Sequence, residues 1–509
     1  GSLLLKISNQ CNTDVTPYGQ EKDGATSGLA RMNMILHDNP TAEIKRENTL
    51  STPLFLNEQG LLKTFDYVVA NPPFSDKKWM TGVEPENDIY DRFDGFGIPP
   101  TKNGDYAYLL HIIRSLKSQG KGACILPHGV LFRGNTEADI RENIIRKGFI
   151  KSIIGLPANL FYGTGIPACI VFIDKKNAQN RKGIFMIDAS KGFLKDGNKN
   201  RLREMDIHKI VDVFEKQIEI EGYSKIISLS DIEKNDFNLN IPRYIDSSKT
   251  EDLQDIEAHL LGDIPKLDID ELQNYWDIFP TLESELFSTA TRSDRYLTLK
   301  IIKEEIKQSI YQHPEFVHYM SDMNNVFTTW KDSVAEKLNA LKKELHPKAI
   351  IEGISEEMLV AYQGKALINK YDVYQHLMNY WIDVMQDDCY IISEDGWNSD
   401  TYRVIETNKK GKQVDKGWAC DLIPKLLVVD RYFSIEQKSI DKLNLELESL
   451  GAKKTELEEE HSGEDGAFSE LEKVNKGNVN KRLKELKDET DSEDEKGVLN
   501  QYLDLMTQE

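Results

Sequence analysis

The sequence predicts an α/β fold, a doubly wound and mainly parallel sheet, followed by a mainly helical region. Two observations support this prediction. Over residues 17–190, short runs rich in β-branched residues alternate with amphipathic helical patterns, as in a parallel sheet with crossover helices. Beyond about residue 250, helical periodicity dominates. The chain has 509 residues, which is enough for about three domains.

The individual elements follow from apolar runs bounded by turn residues. We predict strands at Phe65–Ala70, Ala123–Leu126, Ile150–Leu156 and Ala168–Asp174, and helices at Asp105–Leu116 and Glu137–Lys147. Only residues 157–167 join the last two strands. Because this connection is short for a crossover helix, we predict an antiparallel return at the sheet edge.

Three regions follow from composition and pattern. Residues 1–246 form the α/β region, and residues 247–433 form a mainly helical region with a small hairpin at Lys409–Lys412. Residues 434–509 form an acidic helical tail with 21 acidic and 11 basic residues. Apolar residues stand at heptad a and d positions of this tail: Ile440, Leu443, Leu447, Leu450 and Leu457. The stripe is too short for a lone coiled coil, so it packs against another helix, in this chain or another.

The net charge of −21 argues against a protein that coats nucleic acid with a general basic surface. A local basic cleft, or a partner that supplies positive charge, remains open. No apolar run approaches the roughly 20 residues of a membrane helix. The five cysteines are widely spaced and form no C-x-x-C pair, which indicates a cytoplasmic protein without a structural zinc site or disulfide framework. The chain opens inside an apolar helical pattern without Met, so we expect a fragment.

The motif Asn71-Pro72-Pro73-Phe74 directly follows a predicted buried strand. Ligands of open α/β sheets lie at the carboxyl ends of the strands, so the position suits a site. The alternative is a loop stop, because Pro-Pro is a common turn signal.

These four residues suit transfer of a group to an exocyclic amino or amide nitrogen. Such a nitrogen is a poor nucleophile because its lone pair is delocalised. The side-chain oxygen of Asn71 and the carbonyl of Pro72 can accept its hydrogens, pull it toward tetrahedral geometry and free the lone pair. Proline fixes the backbone that presents this carbonyl, and Phe74 offers a face on which a planar ring can stack.

Two features upstream suit a cofactor. Glu21 ends a short extended segment, where a carboxylate can accept two hydrogen bonds from a ribose; an exposed Glu at a helix start is the alternative. Gly1-Ser2 can be the end of a Gly-rich loop that opens a helix and presents backbone N–H groups. The same pair is also common at the junction left by a purification tag.

The motifs occur in a specific order: GSLLLK, YGQE, ENTL, FDYVVANPPF, GDYAYLLHII, GKGACILPHGVLF, GTGIPACIVFI and FNLNIPRYID. This series resembles the N6-adenine methyltransferases, and most of all the modification subunit of type I restriction–modification systems. The resemblance covers at least residues 1–246. It implies a Rossmann-like, S-adenosylmethionine-dependent sheet that here lacks its first strand and the helical domain in front of it.

The resemblance assigns roles to single residues. Gly1 and Ser2 match the end of the Gly-rich cofactor motif, Glu21 the ribose contact, and Asn71–Phe74 the catalytic motif. Asn48 stands where the family often has an acidic residue that contacts the cofactor adenine. Asp105 matches a position that lines the cofactor and target pocket. The Gly-Asp pair before an apolar run favours a helix N-cap role, which is compatible with the first. Trp79 contacts the target base or packs within its loop.

The function implied is methyl transfer from S-adenosylmethionine to N6 of a flipped-out adenine in double-stranded DNA. A separate specificity subunit selects the target, and a second modification subunit joins the assembly, with or without a restriction subunit. One alternative is a protein glutamine methyltransferase, whose substrate amide presents the same kind of nitrogen, although those enzymes resemble N-P-P-Tyr more closely. The other is a non-catalytic assembly scaffold.

Overall fold

The computed structural model describes residues 1–11, 15–247, 254–408, 411–463, 466–488 and 493–508. The chain forms two compact units. The first comprises Gly1–Glu336 together with Ile351–Trp381, and the second comprises Lys337–Ile350 together with Ile382–Glu509. Part of the region that we separated at residue 247 therefore belongs with the α/β region.

The strands are β1 (Tyr18–Glu21), β2 (Glu43–Arg46), β3 (Phe65–Ala70), β4 (Leu116–Pro127), β5 (Ile150–Gly155), β6 (Ala168–Asp174), β7 (Gly183–Asp188), β8 (Leu194–Asp196), β9 (Lys199–Arg201), β10 (Ser224–Ser228), β11 (Ile264–Pro265), β12 (Phe287–Thr289), β13 (Tyr296–Leu299), β14 (Thr401–Thr407) and β15 (Gln413–Cys420).

The helices are α1 (Ser2–Gln10), α2 (Gly24–Leu36), α3 (Asp105–Arg114), α4 (Thr136–Arg146), α5 (Glu204–Lys216), α6 (Leu229–Lys234), α7 (Ile256–Leu261), α8 (Lys266–Asp270), α9 (Gln273–Trp276), α10 (Pro280–Leu286), α11 (Ile306–Gln312), α12 (Pro314–Asn339), α13 (Pro347–Ala361), α14 (Lys370–Tyr380), α15 (Gln386–Asp395), α16 (Lys425–Tyr432), α17 (Ser434–Glu460), α18 (Lys476–Glu485) and α19 (Glu493–Gln508).

The central sheet has six strands in the order β10-β7-β5-β6-β4-β3. β3 runs parallel to β4, and β5 runs parallel to β7, so the predicted α/β sheet is confirmed. The predicted antiparallel return is also confirmed, because β6 is antiparallel to both β4 and β5. Its predicted place at the edge was wrong, since the antiparallel edge strand is β10. The run ACIVFID is apolar because β6 is paired on both sides inside the sheet.

Helices cover both faces of this sheet. On one face, Leu110 of α3 and Ile140 and Ile144 of α4 are fully buried in the main core. On the other face, Ile210 and Val213 of α5 pack in a second cluster. The amphipathic patterns predicted for α3 and α4 therefore mark the faces that hold the sheet.

β1 and β2 form a separate two-stranded parallel sheet. An aromatic cluster joins it to the central sheet, since the Tyr18 ring lies 5.4 Å from the Phe65 ring at the start of β3. Phe55 completes the cluster at 5.2 Å from Tyr18. The extended segment that ends at Glu21 is thus anchored beside β3, the strand that precedes Asn71.

Helix α14 packs on α5 around one buried carboxylate. Asp212 accepts hydrogen bonds from the Lys370 Nζ at 2.9 Å and the Tyr371 hydroxyl at 2.5 Å, and it pairs with Lys216. Burial alone would raise the pKa of Asp212, but these hydrogen bonds hold it well below its usual value. The charged form is therefore stabilised, and it ties the helical region to the α/β region.

The second unit contains the tail and the hairpin. β14 and β15 form the hairpin expected around residue 410, whose Lys409 and Lys410 lie outside the described residues. Leu457 at the end of α17 is buried in a cluster with Val479 and Leu499. In the N-terminal half of α17, the apolar residues Ile440, Leu443 and Leu447 are instead exposed. Within the described residues, no helix is both long and apolar enough to cross a bilayer.

Candidate active site

The predicted catalytic motif and two neighbouring loops lie at the same end of the central sheet. Asn71 follows the last residue of β3, which pairs in register with β4. β4 ends at Pro127, directly opposite Ala168, the first residue of β6. β5 ends at Gly155 on the same edge. The carboxyl ends of β3, β4 and β5 therefore present their loops together, as binding sites of open α/β sheets require.

The Asn71–Phe74 segment divides into an exposed and an anchored part. The Asn71 side chain is exposed, and its amide makes no hydrogen bond with the described residues. Pro72 is buried, which fixes the backbone beneath it. The Phe74 ring meets the Phe161 ring edge to face, with the ring centres 5.7 Å apart. The amide is thus available to a ligand, and Phe74 of the same segment belongs to an aromatic pair.

The segment is held from behind by Asp105. Ser75, the residue after Phe74, adopts a φ of 52° in the left-handed region. Its backbone N–H donates to Asp105 Oδ1 at 2.7 Å, which offsets the cost of this conformation. Asp105 is fully buried, and its Oδ2 accepts a hydrogen bond from Arg133 Nη1 at 2.8 Å. The predicted N-cap role was wrong, because Gly104 is the N-cap and the Asp105 carboxylate faces the loop.

Arg133 is a residue that the sequence did not single out. Besides Asp105, it pairs with the buried carboxylate of Glu137 at 3.3 Å. Burial opposes the charge on Arg133, yet its hydrogen bond to Asp105 raises its pKa. Burial likewise raises the pKa of Glu137, and Arg133 counteracts this. One guanidinium therefore pairs with two buried carboxylates beneath the loop that contains Phe74 and Ser75.

Tyr108 of α3 holds the loop that follows Phe74 through Asp76. Its hydroxyl donates to Asp76 Oδ2 at 3.1 Å, and the Asp76 carbonyl accepts the Gly104 N–H at 3.0 Å. Burial raises the pKa of Tyr108, with further contributions from Asp76 and from Glu21. The Glu21 carboxylate therefore lies within electrostatic range of the loop that follows Phe74.

The predicted cofactor residues lie at the ends of β1 and β2. Glu21 is the last residue of β1 and pairs with Arg46, the last of β2. The Glu47 N–H donates to the Glu21 carbonyl at 3.1 Å, which brings Asn48 to the same edge. The Asn48 side-chain oxygen accepts the Leu50 N–H at 3.0 Å. Its NH₂ group makes no hydrogen bond with the described residues.

Gly1 lies at the N-terminus of α1, the N-cap of the helix that begins with Ser2. A Cβ at Gly1 would lie 3.2 Å from the Ala30 Cα, so this end of α1 packs closely on α2. The donors and acceptors assembled here suit a nucleoside with an amino-acid tail: a carboxylate for a ribose diol, an amide for a base and helix N-terminal N–H groups for a carboxylate. The residues present therefore fit S-adenosylmethionine.

A family model described as N-6 DNA Methylase matches residues 1–253. Residues 1–253 belong to the N-6 DNA methylase family. The match confirms the resemblance predicted from the order of motifs.

Individual relatives cover the same part of the chain. The type I restriction enzyme MjaVII methylase subunit of Methanocaldococcus jannaschii is 34% identical over 48% of this chain and 44% of that subunit. The MpnII methylase subunit of Mycoplasma pneumoniae is 34% identical over 51% of this chain and 49% of that subunit. A solved type I methyltransferase subunit from Streptococcus thermophilus is 38% identical, with a TM-score of 0.45, over 49% of this chain and 52% of that chain. The chain thus spans about half the length of the relatives it matches.

In this methylase domain a buried ion pair supports the segment that contains Asn48. Arg92 and Asp88 have only 2% and 6% of their side chains exposed and lie 2.6 Å apart. Arg92 Nη1 also donates to the Leu50 carbonyl at 2.7 Å. Burial alone would raise the pKa of Asp88, but the hydrogen bonds from Arg92 lower it. The pair thus fixes the turn that follows β2.

Two further side chains of the methylase domain have structural roles. His111 Nε2 lies 3.5 Å from Thr49 Oγ1, and burial followed by the Arg92 charge lowers the pKa of His111 to about 3. Trp79 is 1% exposed, and its Nε1 donates to the Pro100 carbonyl at 2.9 Å. Of its two predicted roles, packing within the loop is therefore the one observed.

Proposed function

We propose that this chain contains the catalytic region of a type I restriction–modification methylase subunit, which methylates N6 of adenine in DNA. The observation that carries the proposal is the exposed Asn71 amide beside Phe74, at the carboxyl end of β3 in an N-6 DNA methylase domain. The named relatives are type I methylase subunits, which supports the same assignment.

The proposed chemistry assigns one task to each residue of the motif. The Asn71 oxygen and the Pro72 carbonyl accept the two hydrogens of the adenine amino group, and the nitrogen lone pair is released from the ring. Phe74 stacks on the adenine base, and Phe161, which contacts Phe74, packs against the base as a second aromatic ring. Positioning and electrostatics account for such catalysis, because no covalent intermediate with the protein is required.

We propose S-adenosylmethionine as the cofactor. When bound, it supplies a methyl group already activated by its positive sulfur. Glu21 would hold the ribose, Asn48 would meet the adenine through its free NH₂ group, and the start of α1 at Gly1 and Ser2 would face the carboxylate tail. Asp105 serves the site indirectly, because its two oxygens are occupied by Ser75 and Arg133.

The adenine must leave the duplex to reach Asn71, since its amino group is paired inside the helix. We propose that a separate specificity subunit selects the sequence and that a second methylase subunit and a restriction subunit join the complex. The exposed Ile440, Leu443 and Leu447 of α17 offer an apolar stripe for such assembly. A DNA substrate of this kind places the protein in the cytoplasm.

We propose in addition that the complete catalytic domain has one more strand than residues 1–246 supply. β1 and β2 are separated from β3, although both sheets belong to one methylase domain. β3 also exposes Tyr67 to 55%, unlike the buried strands β5 and β7. A further strand between β1 and β3 would join the two sheets and cover this edge.

Two alternatives compete with this proposal. Transfer to a protein glutamine uses the same nitrogen chemistry, but the relatives found are DNA methylase subunits. A scaffold without catalysis does not explain why the exposed Asn71 amide stands beside a loop that the buried Asp105 carboxylate holds in a left-handed conformation.

Radiolabelled cofactor separates these functions. The full-length protein with its specificity subunit is incubated with the cofactor and either unmethylated DNA or a protein extract, and the products are hydrolysed. Label in N6-methyladenine supports the proposal. Label in methylglutamine, or in neither product, refutes it.

A further inference from the structure

A loop beside the catalytic motif is fixed by a neighbouring hairpin. The loop spans residues 158–165, between β5 and β6, and the hairpin consists of β8 and β9. Lys199 Nζ donates to the Phe161 carbonyl at 2.7 Å and to the Thr164 carbonyl at 3.1 Å. Asn200 donates from its side chain to the Ala158 carbonyl at 2.7 Å. The hairpin therefore sets the conformation of the loop along its length.

This loop presents two consecutive aromatic residues in opposite environments. Phe161 contacts Phe74, as described above. Tyr162, its neighbour, is 95% exposed, although a large ring in water offers no packing energy. Consecutive Cα atoms are about 3.8 Å apart, so Tyr162 stands directly next to the mouth of the site. DNA that delivers an adenine to Asn71 must pass beside it.

The hairpin carries a local positive charge that contrasts with the chain as a whole. Residues 191–201 contain four basic residues and one acidic residue, whereas the whole chain has a net charge of −21. Lys191, Lys195 and Arg201 are exposed. Exposed cations next to a catalytic site that receives DNA favour contacts with phosphates.

We propose that this loop and hairpin form a surface that binds the DNA duplex. Tyr162 stacks in the space vacated by the flipped adenine, and the exposed cations of the hairpin bind the flanking phosphates. The inference rests on the proposed function. A ring in the vacated space compensates the loss of base stacking, which otherwise opposes flipping. The phosphate contacts hold the duplex so that the ring reaches this space.

The target sequence is first identified by mapping methylated adenines in the DNA of a host that carries the wild-type system. The role of Tyr162 is then tested on this sequence with the assembled complex. Tyr162→Ala is expected to reduce kcat/KM on the paired duplex by about 10-fold or more, and Tyr162→Phe to preserve it. A target adenine opposite a mismatched base should restore the rate of Tyr162→Ala, because a mispaired base costs less to extrude. Tyr311→Ala removes another exposed ring, on α11, whose exposed fraction is 59%, and serves as the control.

The phosphate contacts are tested by the salt dependence of duplex binding. Lys195→Ala is expected to lower the slope of log K against log salt by about 1, as for one lost phosphate contact. Lys225→Ala removes an exposed lysine from the edge strand β10 and should leave the slope unchanged.

The outcomes separate this inference from the proposed function. Wild-type rates for Tyr162→Ala on paired duplex, or an equal defect on paired and mismatched duplex, would overturn the role of Tyr162. An unchanged slope for Lys195→Ala would overturn the phosphate contact. A wild-type complex that methylates no DNA would instead refute the proposed function itself.

Discussion

The Asp105 carboxylate accepts the backbone N–H of Ser75 at 2.7 Å, one residue beyond Phe74. Its other oxygen is bound by Arg133 at 2.8 Å. This buried relationship explains how the segment that carries the exposed Asn71 amide is held in one place. Ser75 could not hold its positive φ without compensation, and the charge of Asp105 could not be buried without Arg133.

Replacing Asp105 by Asn therefore should impair catalysis more than cofactor binding. The amide keeps the shape but loses the charge-assisted bonds to Ser75 and Arg133. Because a shift of about 1 Å in a reacting group can cost roughly 100-fold in rate, we expect kcat to fall by up to about that factor. Single-turnover methylation and cofactor titration measure the two quantities. Equal loss of both would contradict a role of Asp105 that is restricted to positioning the loop.

The Arg92–Asp88 pair should contribute strongly to stability. Arg92→Ala leaves the buried Asp88 charge without a partner, so the free energy of unfolding should fall by about 3–5 kcal/mol. The matched control is Arg114→Ala, which breaks an exposed pair with Asp91 and should cost less than about 1 kcal/mol. Urea unfolding measures both variants. Similar losses for the two would contradict the role assigned to burial.

His111 should make the protein less stable in acid. The unfolded chain binds a proton at this residue near pH 6.5, whereas the folded pKa is about 3. Stability from this group is therefore lost as the pH falls from about 6.5 toward 3, with a slope of at most about 1.4 kcal/mol per pH unit.

Urea unfolding at several pH values tests this prediction. His111→Gln should show a flatter decline between pH 6.5 and pH 5 than the wild type. His318→Gln, at a side chain that is 78% exposed, provides the control. Parallel pH profiles for wild type and His111→Gln would contradict the prediction.

The exposed stripe of α17 should bind the specificity subunit. Replacing both Leu443 and Leu447 by Asp should weaken association more than 10-fold, because each buried leucine contributes about 1.5–3 kcal/mol. Asn444→Asp introduces the same charge at an exposed polar position of the same helix and should have little effect. Analytical ultracentrifugation of mixed subunits measures the association. Normal assembly of the double variant would locate the interface elsewhere.

The sequence predicted the individual strands and helices better than the order of the strands in the sheet. Apolar runs and the turn residues that bound them predicted the ends of β3, α3, α4 and β6 to within a few residues, because these signals are local. The internal place of β6 depends on pairing with β4 and β5, which are distant in the sequence. Its unbroken apolar run was the available signal.

Side-chain partnerships were the least predictable feature. Asp105 has the local pattern of a helix N-cap, and only the folded loop brings Ser75 and Arg133 to its carboxylate. Arg133 itself has no motif around it that specifies a buried role. The tail heptads predicted helix packing, and the structure shows that only their far end, at Leu457, is buried within the chain.

The most direct test of the central claim is methyl transfer by Asn71→Ala in the full-length protein assembled with its specificity subunit. We expect N6-methyladenine formation to be abolished while S-adenosylmethionine binding, measured by calorimetry, stays close to the wild-type value. Methylation at the wild-type rate by Asn71→Ala would contradict the account.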